Sequence, residues 1–529
     1  MKLNKQSLYD ILVISASENP HGYIYNFLGY RRTYHLFLED VRKCASHLKS
    51  LGIVPGDIVS ICLPNIPRAL VLFYAINSLG GISNFIHPQI PIKDYEDLLK
   101  KIKPKALFVL STFKNQQKAF KDLKVFDFIY LIKSNEFMTL SYKFITTPKE
   151  FYYKSLSNLP YYKEKHNEQN LDFQKDFNET AVILFSGGTT GTGKAICLSD
   201  VNINTCAIQT GLNRENGAPG DKILAILPMF HGYGLVSCIH TAVFEAGEIL
   251  LLPYYQDKMF MKIFKRYRPN YITGIPKLYA RMIPLLENES IDLSFLKGVF
   301  CGGSKLSESI RVRFNELLKE KNARVTIREG YGLTEMVSAC TLMPKNLHKK
   351  NSIGKPFEGV KAKIVDPKSK IPLPLGSLGR IAFQSEAIMI GYFGQKEQPF
   401  FYDQDGLWLY TDDLGYMDSD GYLFFVDRIR RMLKICGYEV YPSTIEALFN
   451  EIPGIVNNCL VEYLDQGVSY LKLFVVIDKG HDFKSIKYEI MKKASADLPP
   501  WSIPKKIEII DEIPQTLYKK NDYKKLSER

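Results

Sequence analysis

Residues 185–194 read FSGGTTGTGK, directly after the apolar run Ala181–Phe185. A run of that length and composition is a buried strand. Gly187, Gly188 and Gly191 let the backbone that follows turn tightly and approach a ligand closely. Ser186, Thr189 and Thr190 add hydroxyls, and Lys194 adds a point charge. Successive backbone N–H groups in such a loop form a concavity suited to a polyphosphate. The plainer alternative is a glycine-rich surface turn. The concentration of glycine, hydroxyl and lysine just after a buried strand weighs against it.

Gly188-x4-Gly193-Lys194 meets most of the Walker A spacing, but the next residue is Ala195. A P-loop NTPase needs Ser or Thr there to hold magnesium, and it enters a helix at once. Here Ala195–Leu198 continues as a second extended apolar run, and only Ser199 and Asp200 offer a helix cap. The stretch therefore predicts a hairpin between two strands with phosphates at its tip, and it is not a Walker A.

At 529 residues, 46% apolar and 24% charged, the chain is ordinary globular protein with room for two to four domains. The balance of 69 basic against 56 acidic side chains, +13, favours anionic partners in general. The lysines are scattered, with no long basic run, interleaved aromatics or nucleic-acid motif, so no nucleic-acid partner is expected. Nine widely spaced cysteines without a C-x-x-C pair suit a reducing cytoplasm. Ile11–Ile14 is too short for a signal core. Ile223–Phe244 is charge-free and long enough to span a bilayer, but Pro228, His231, Gly232, Gly234 and His240 interrupt it. A strand, a loop and a buried helix fit it better, and no membrane span is expected.

In chain order, residues 34–52 predict an amphipathic helix with Leu38, Val41, Ala45 and Leu48 on one face. Asp57–Leu63 predicts a strand, and the helix entered at Pro67 runs to Gly80. Ala106–Leu110 and Phe126–Ile132 are further strands, and 141–178 reads as an irregular connection. Ile223–Leu227, Ile249–Leu252, Tyr271–Thr273, Gly298–Phe300 and Arg324–Ile327 alternate with helical segments, as in a largely parallel α/β core. After about residue 350, Gly and Pro punctuate short runs such as Ala362–Val365 and Arg380–Phe383, predicting a small antiparallel β unit. Asp418–Gly421 is a turn within it. A last compact unit has a helix at 443–451, a strand at 471–477 and a helix at 483–497. The predicted domains are 1–427 and a smaller α+β domain at 428–529.

Five separated stretches ask for one explanation: SGGTTGTGK at 186–194, PMFHGYG at 228–234, GYGLTE at 330–335, YTDDLG at 410–415 and DRIRRMLKICGYEVYP at 427–442. In this order they resemble the adenylate-forming superfamily, which includes acyl-CoA synthetases, luciferases and the adenylation domains of peptide synthetases. IPQTLYKK at 513–520 is similar to that family's lysine-bearing C-terminal motif. The resemblance covers nearly the whole chain. It implies a large AMP-binding domain, a small mobile C-terminal domain, and the substrates ATP, a carboxylic acid and CoA, with Mg2+.

The resemblance also implies roles for individual residues. The 186–194 loop meets the leaving pyrophosphate, with Ser186 also near the metal. Gly330, Tyr331 and Gly332 hold the adenine, Thr334 reaches the α-phosphate, and Glu335 holds Mg2+, a hard cation that prefers oxygen. Asp413 accepts from the ribose hydroxyls, and Arg428 reaches ribose and phosphate. Arg430 is the hinge, where the family often has Asp or Lys. Lys520 serves the first half-reaction, while Lys434 and Gly437 lie on the face used in the second. His231 is either an aromatic gate or a satisfied histidine in an apolar surround. Tyr233, Leu235, Cys301, Gly302, Gly303 and Ser304 line an apolar or aromatic acid pocket. Lys222 is the one charged residue in 222–244, which disfavours an amino-acid substrate.

Three positions depart from the family pattern: Gly193 for a proline, Asp412 for a glycine and Lys519 for a glycine. Because the chain ends just past Lys520, CoA is the expected acceptor, with a separate carrier protein as the alternative. A non-catalytic nucleotide-binding role is the reading from another class. Retention of Lys194, Glu335, Asp413, Arg428 and Lys520 argues against it.

Overall fold

In the computed structural model, the glycine-rich stretch joins two antiparallel strands, Thr180–Ser186 and Lys194–Ser199, with Ser186 opposite Lys194. The described residues are 6–89, 91–133, 176–186, 193–215, 217–435, 437–465, 468–478, 480–515 and 521–528. The expected hairpin is present, and Ala195 lies buried in its second strand. The helix Asp200–Asn213 follows, capped as anticipated by Ser199, which accepts from the Asn202 N–H while Asn202 reaches back to the Ser199 N–H.

The chain divides into two compact units, 1–361 with 384–399, and 362–383 with 400–529. Among the described residues, the first unit carries two sheets. One runs in the order Gly391–Tyr392, Lys194–Ser199, Thr180–Ser186, Ile82–Phe85, Ile58–Cys62, Ala106–Leu110, Phe128–Ile132. It is parallel from Thr180–Ser186 onward. The other has a parallel centre of Tyr23–Phe27, Glu248–Leu251, Lys222–Ala225, Tyr271–Gly274, Gly298–Cys301 and Ile327–Gly332. Antiparallel neighbours flank it, including Ala339–Leu342. The α/β expectation holds. One expected strand is displaced: the run placed at Arg324–Ile327 begins at Ile327 and extends through the GYG triplet to Gly332. Its pairing with Val299–Cys301 on one side and 339–342 on the other carries it that far.

Tyr34–Ser50 buries Leu38, Val41, Ala45 and Leu48 as expected. Pro67–Ser78 is buried on every face, its run Ala69–Ile76 being apolar all round. The charge-free 223–244 stretch resolves into the strand Lys222–Ala225, a loop and a buried helical segment. That segment includes a π-helical turn at Leu235–His240. Among the described residues, no helix is long and apolar enough to cross a membrane.

His240 in that turn is fully buried between the Tyr74 hydroxyl, 3.0 Å from Nδ1, and Asn204 Oδ1, 2.8 Å from Nε2. Burial pushes its pKa down to about 3. The unfolded imidazole protonates below about 6.5 and the folded one does not, so this stability is full above pH 6.5 and is lost as pH falls towards 3. The loss is about 1.4 kcal/mol per pH unit. In denaturant titrations between pH 6.5 and 5, His240→Gln is expected to show a shallower loss than the parent by about that amount. An unchanged slope would show the imidazole charging inside the fold.

In the second unit, Gly379–Gln384, Phe400–Asp403, Gly406–Met417 and Leu423–Arg428 form an antiparallel sheet, the last two joined by the expected turn. Asp418 Oδ1 accepts from the N–H groups of Asp420 and Tyr422 there. Beyond Arg428 come a short hairpin, Leu433–Ile435 with Tyr438–Val440, and the helix Pro442–Phe449. A sheet of Ile455–Asp465, Val468–Ile477 and Lys506–Ile509 and the helix Phe483–Asp497 complete the unit. Ile435, Ile445, Phe449, Leu473, Val475 and Ile490 are among its buried centre. The strand Ile455–Asp465 is absent from the sequence reading, because polar residues such as Asn457, Asn458 and Glu462 break its apolar pattern.

Candidate active site

In each sheet of the first unit the singled-out residues lie at or just beyond the carboxyl ends of strands, where open α/β sheets bind ligands. Ser186 ends its strand and Lys194 opens the next. Gly187, Gly188, Thr189, Thr190 and Gly191 lie outside the described residues. Gly302, Gly303 and Ser304 follow Gly298–Cys301, and Gly330, Tyr331 and Gly332 end the adjacent strand, with Cys301 opposite Glu329.

After Gly332 the chain makes a single 3-10 turn, Thr334–Met336, and then an unusual bend. Val337 has φ 65° and ψ −55°, and the Ser338 N–H donates to the Met336 carbonyl at 2.7 Å. This is a γ-turn of the rare, strained hand, held at a buried, β-branched residue. The Val337 carbonyl points at Gly232 of PMFHGYG, where a Cβ would sit 1.7 Å from that oxygen. Only glycine permits this approach. A hydrogen bond of 2.9 Å between the buried Ser237 and Ser338 hydroxyls joins the segments that follow these two motifs.

Glu335 accepts a hydrogen bond from the Tyr392 hydroxyl at 2.8 Å on Oε1, and the Lys194 ammonium lies 4.1 Å from the centre of the same ring. Thr334 and Glu335 are half-buried, open on one side to solvent. Among the described residues, no cluster of three or more His, Cys, Asp or Glu could hold a metal ion. A single protein carboxylate beside a phosphate loop nevertheless fits Mg2+, which keeps its waters and completes its shell with substrate phosphates.

His231 is exposed, with its ring 4.9 Å from Phe230 and 6.0 Å from His87. His240, further along the same stretch, is buried and hydrogen-bonded at both ring nitrogens. Tyr233 packs flat on Gly302, where a Cβ would meet its hydroxyl at 3.1 Å. Leu235 and Cys301 are buried, and burial pushes the Cys301 thiol well up, leaving it a proton-bearing apolar filler. Gly303 and Ser304 are exposed. Glu329, which the sequence reading passes over, accepts from the Leu306 N–H at 3.0 Å, and burial pushes it up to about 7.

In the second unit, Asp413 and Arg428 stand opposite each other in adjacent strands, Arg428 Nε 3.4 Å from Asp413 Oδ1. The Asp412 carboxylate is taken up by Arg380, at 2.7 Å, and by Arg430, at 3.3 Å. The extra acid at 412, a departure from the family pattern, is thus charge-paired from two sides. Lys434 and Gly437 share one hairpin, both exposed, with open space beyond the Gly437 Cα and φ at +86°. Sequence reasoning missed Asp427. Its carboxylate accepts from the Ser443 N–H at 2.7 Å and from the Ser443 hydroxyl at 2.8 Å, tying the end of the strand Leu423–Arg428 to the helix Pro442–Phe449. Arg431 sits beside it, paired with the buried Glu446. Lys519 and Lys520 lie outside the described residues.

The AMP-binding enzyme family model matches residues 14–393, and the AMP-binding enzyme C-terminal domain model matches 444–520. A probable 4-coumarate–CoA ligase 3 of Dictyostelium discoideum is 30% identical over 439 residues, 81% of this chain and 77% of that protein. The long-chain-fatty-acid–CoA ligase of Bacillus subtilis is 27% identical, over 98% of this chain and 93% of its own length. Among solved structures, the o-succinylbenzoate coenzyme A synthetase of Bacillus subtilis with ATP and magnesium ion superposes with a TM-score of 0.80. It shares 20% identity, over 98% of this chain and 99% of that one, which speaks for the fold alone. The chain belongs to the AMP-binding enzyme family, the adenylate-forming superfamily, on its acyl-CoA synthetase side.

Proposed function

We propose that this enzyme activates a fatty or aryl carboxylic acid with ATP, releasing pyrophosphate, and then transfers the acyl group from acyl-AMP to CoA. The observation that carries the reading is the convergence of Lys194 and Glu335 on Tyr392, with Thr334 beside Glu335 in the turn. A phosphate-facing cation and a metal-facing carboxylate at one strand-end are what a nucleotidyl transfer needs.

In this assignment the acid's carboxylate attacks the α-phosphate and pyrophosphate leaves along Ser186, the glycine-rich loop and Lys194. Thr334 donates to the α-phosphate. Glu335, with Ser186 near it, would hold Mg2+, which would supply positive charge to the phosphates. Gly330, Tyr331 and Gly332 receive the adenine, with Gly303 and Ser304 at the neighbouring strand end. Asp413 and Arg428 hold the ribose, and Lys520 supplies the ammonium for adenylation. The domain boundary falls at 427/428 with the hinge at Arg430, and Lys434 and Gly437 serve the thiol step. His231, exposed beside aromatic rings, is assigned the gate. Tyr233, Gly302 and Cys301 supply an apolar wall, which supports a fatty or aryl acid, as do the names of the curated relatives. CoA is favoured as acceptor over a separate carrier protein, because the named relatives are CoA ligases. The buried free cysteines among the described residues support a cytoplasmic location.

A panel of carboxylic acids in ATP–pyrophosphate exchange, followed by addition of CoA, tests this. Acid-dependent exchange with AMP as the nucleotide product is expected, and thioester should form when CoA is supplied. ADP and inorganic phosphate as direct products would refute it.

A further inference from the structure

Tyr392 lies outside every motif singled out in the sequence, yet the structure holds it through both its backbone and its side chain. The strand Gly391–Tyr392 pairs with Lys194–Ser199, Tyr392 lying opposite Ile196. The Gln398 carboxamide holds both its backbone groups, accepting from the Tyr392 N–H at 2.7 Å and donating to its carbonyl at 3.1 Å. On either side, the Phe393 N–H donates to the Ala195 carbonyl at 2.8 Å and the Ile390 N–H to the Cys197 carbonyl at 2.9 Å. The Met389 N–H donates to the Glu335 carbonyl at 2.9 Å. The segment is thus fastened both to the phosphate hairpin and to the turn bearing Glu335.

The side chain uses that anchorage twice. It is 8% exposed, its one O–H donates to Glu335 Oε1, and its ring face receives the Lys194 ammonium. The structure records no ion pair between Lys194 and Glu335 among the described residues. A free lysine and a free carboxylate bordering one site would neutralise each other, leaving neither for phosphate or metal.

We propose that Tyr392 is a positioning residue for adenylation. Its hydroxyl sets the orientation of the metal-binding carboxylate Glu335, and its ring parks Lys194 apart from that carboxylate until phosphate arrives. This rests on the reading in which Glu335 holds the metal and Lys194 meets phosphate.

Tyr392→Phe keeps the ring and removes only the hydroxyl, whereas Tyr392→Leu removes both. Two binding measurements separate the roles without turnover. One is Mn2+ binding, followed by electron paramagnetic resonance in the presence of α,β-methylene ATP. The other is calorimetric binding of ATP in EDTA. Outer partners of metal ligands are typically worth 10–100-fold in metal affinity. Tyr392→Phe is therefore expected to weaken Mn2+ binding about tenfold and to leave metal-free ATP binding within about twofold of the parent. Tyr392→Leu is expected to weaken both, metal-free ATP by about threefold or more, the size of a lost cation–π contact.

Glu335→Gln is the reference. If it leaves Mn2+ binding at the parental level, the metal assignment itself fails. If Glu335→Gln weakens Mn2+ binding while Tyr392→Phe matches the parent, the positioning role of Tyr392 is overturned and the metal assignment stands. Equal loss of Mn2+ and metal-free ATP binding in Tyr392→Phe would make the residue scaffolding only, which also overturns the proposal.

Discussion

Lys520→Ala is expected to lower acyl-AMP formation by about 10²–10³-fold while still converting presented acyl-AMP and CoA to thioester. The factor is that of losing one oriented charge at a transition state where negative charge gathers on phosphate oxygens. The assignment comes from IPQTLYKK at 513–520, within the C-terminal domain match. Gly437→Leu should do the reverse, forming acyl-AMP and transferring it poorly, because the open space beyond Gly437 is where the pantetheine arm would pass. At φ +86° any side chain adds backbone strain of about 1–3 kcal/mol, so Gly437→Ala is needed as the control that carries the strain without the bulk. Single-turnover analysis with radiolabelled acid, with and without CoA, reads both half-reactions. Equal loss of both in Lys520→Ala and in Gly437→Leu would show that the domain does not present two faces. A thioester defect as deep in Gly437→Ala as in Gly437→Leu would move the explanation from bulk to strain.

Short-range chemistry made much of this legible in sequence. The apolar runs on either side of FSGGTTGTGK fold as the expected hairpin, Ser199 caps the expected helix, and the interrupted apolar stretch at 223–244 is strand, loop and buried helix. Each of these depends on neighbours a few residues away. What escaped depends on pairing across the fold. The GYG triplet has no apolar alternation, yet it is strand because Ala339–Leu342 pairs with all three of its residues. Tyr392 lies 57 residues from Glu335 and looks like any tyrosine after a glycine. Asp412 stands out in sequence as a departure, but only the strand pairing that sets Asp413 opposite Arg428 brings Arg430 to its carboxylate, beside Arg380. The side chains of Asp412 and Arg430 are 42% and 48% exposed, so that pair adds little to stability.

The contact between Gly232 and Val337 makes the second large prediction. A methyl at Gly232 would lie 1.7 Å from the Val337 carbonyl oxygen, and that atom is main chain, with no flexible end to swing aside. Overpacking of this kind costs about 1–3 kcal/mol. The strained turn at Val337 is what must move, and it follows Thr334 and Glu335 by three and two residues. A displacement near 1 Å at catalytic groups costs about 10²-fold in rate. Gly232→Ala is thus expected to fold, with a lowered Tm, but to lose pyrophosphate exchange by about 100-fold. Val337→Gly should come close to neutral in stability. It gives up a buried valine worth about 1.5–3 kcal/mol and relieves strain of about 1–3 kcal/mol. In the double variant the glycine at 337 lets the carbonyl tilt away from the new methyl, so part of the exchange activity should return. A double-mutant cycle should then give a coupling of about 1 kcal/mol or more, as residues in direct contact do. Strict additivity, or Gly232→Ala with parental exchange, would mean that the bend at Val337 does not hold Thr334 and Glu335 in place.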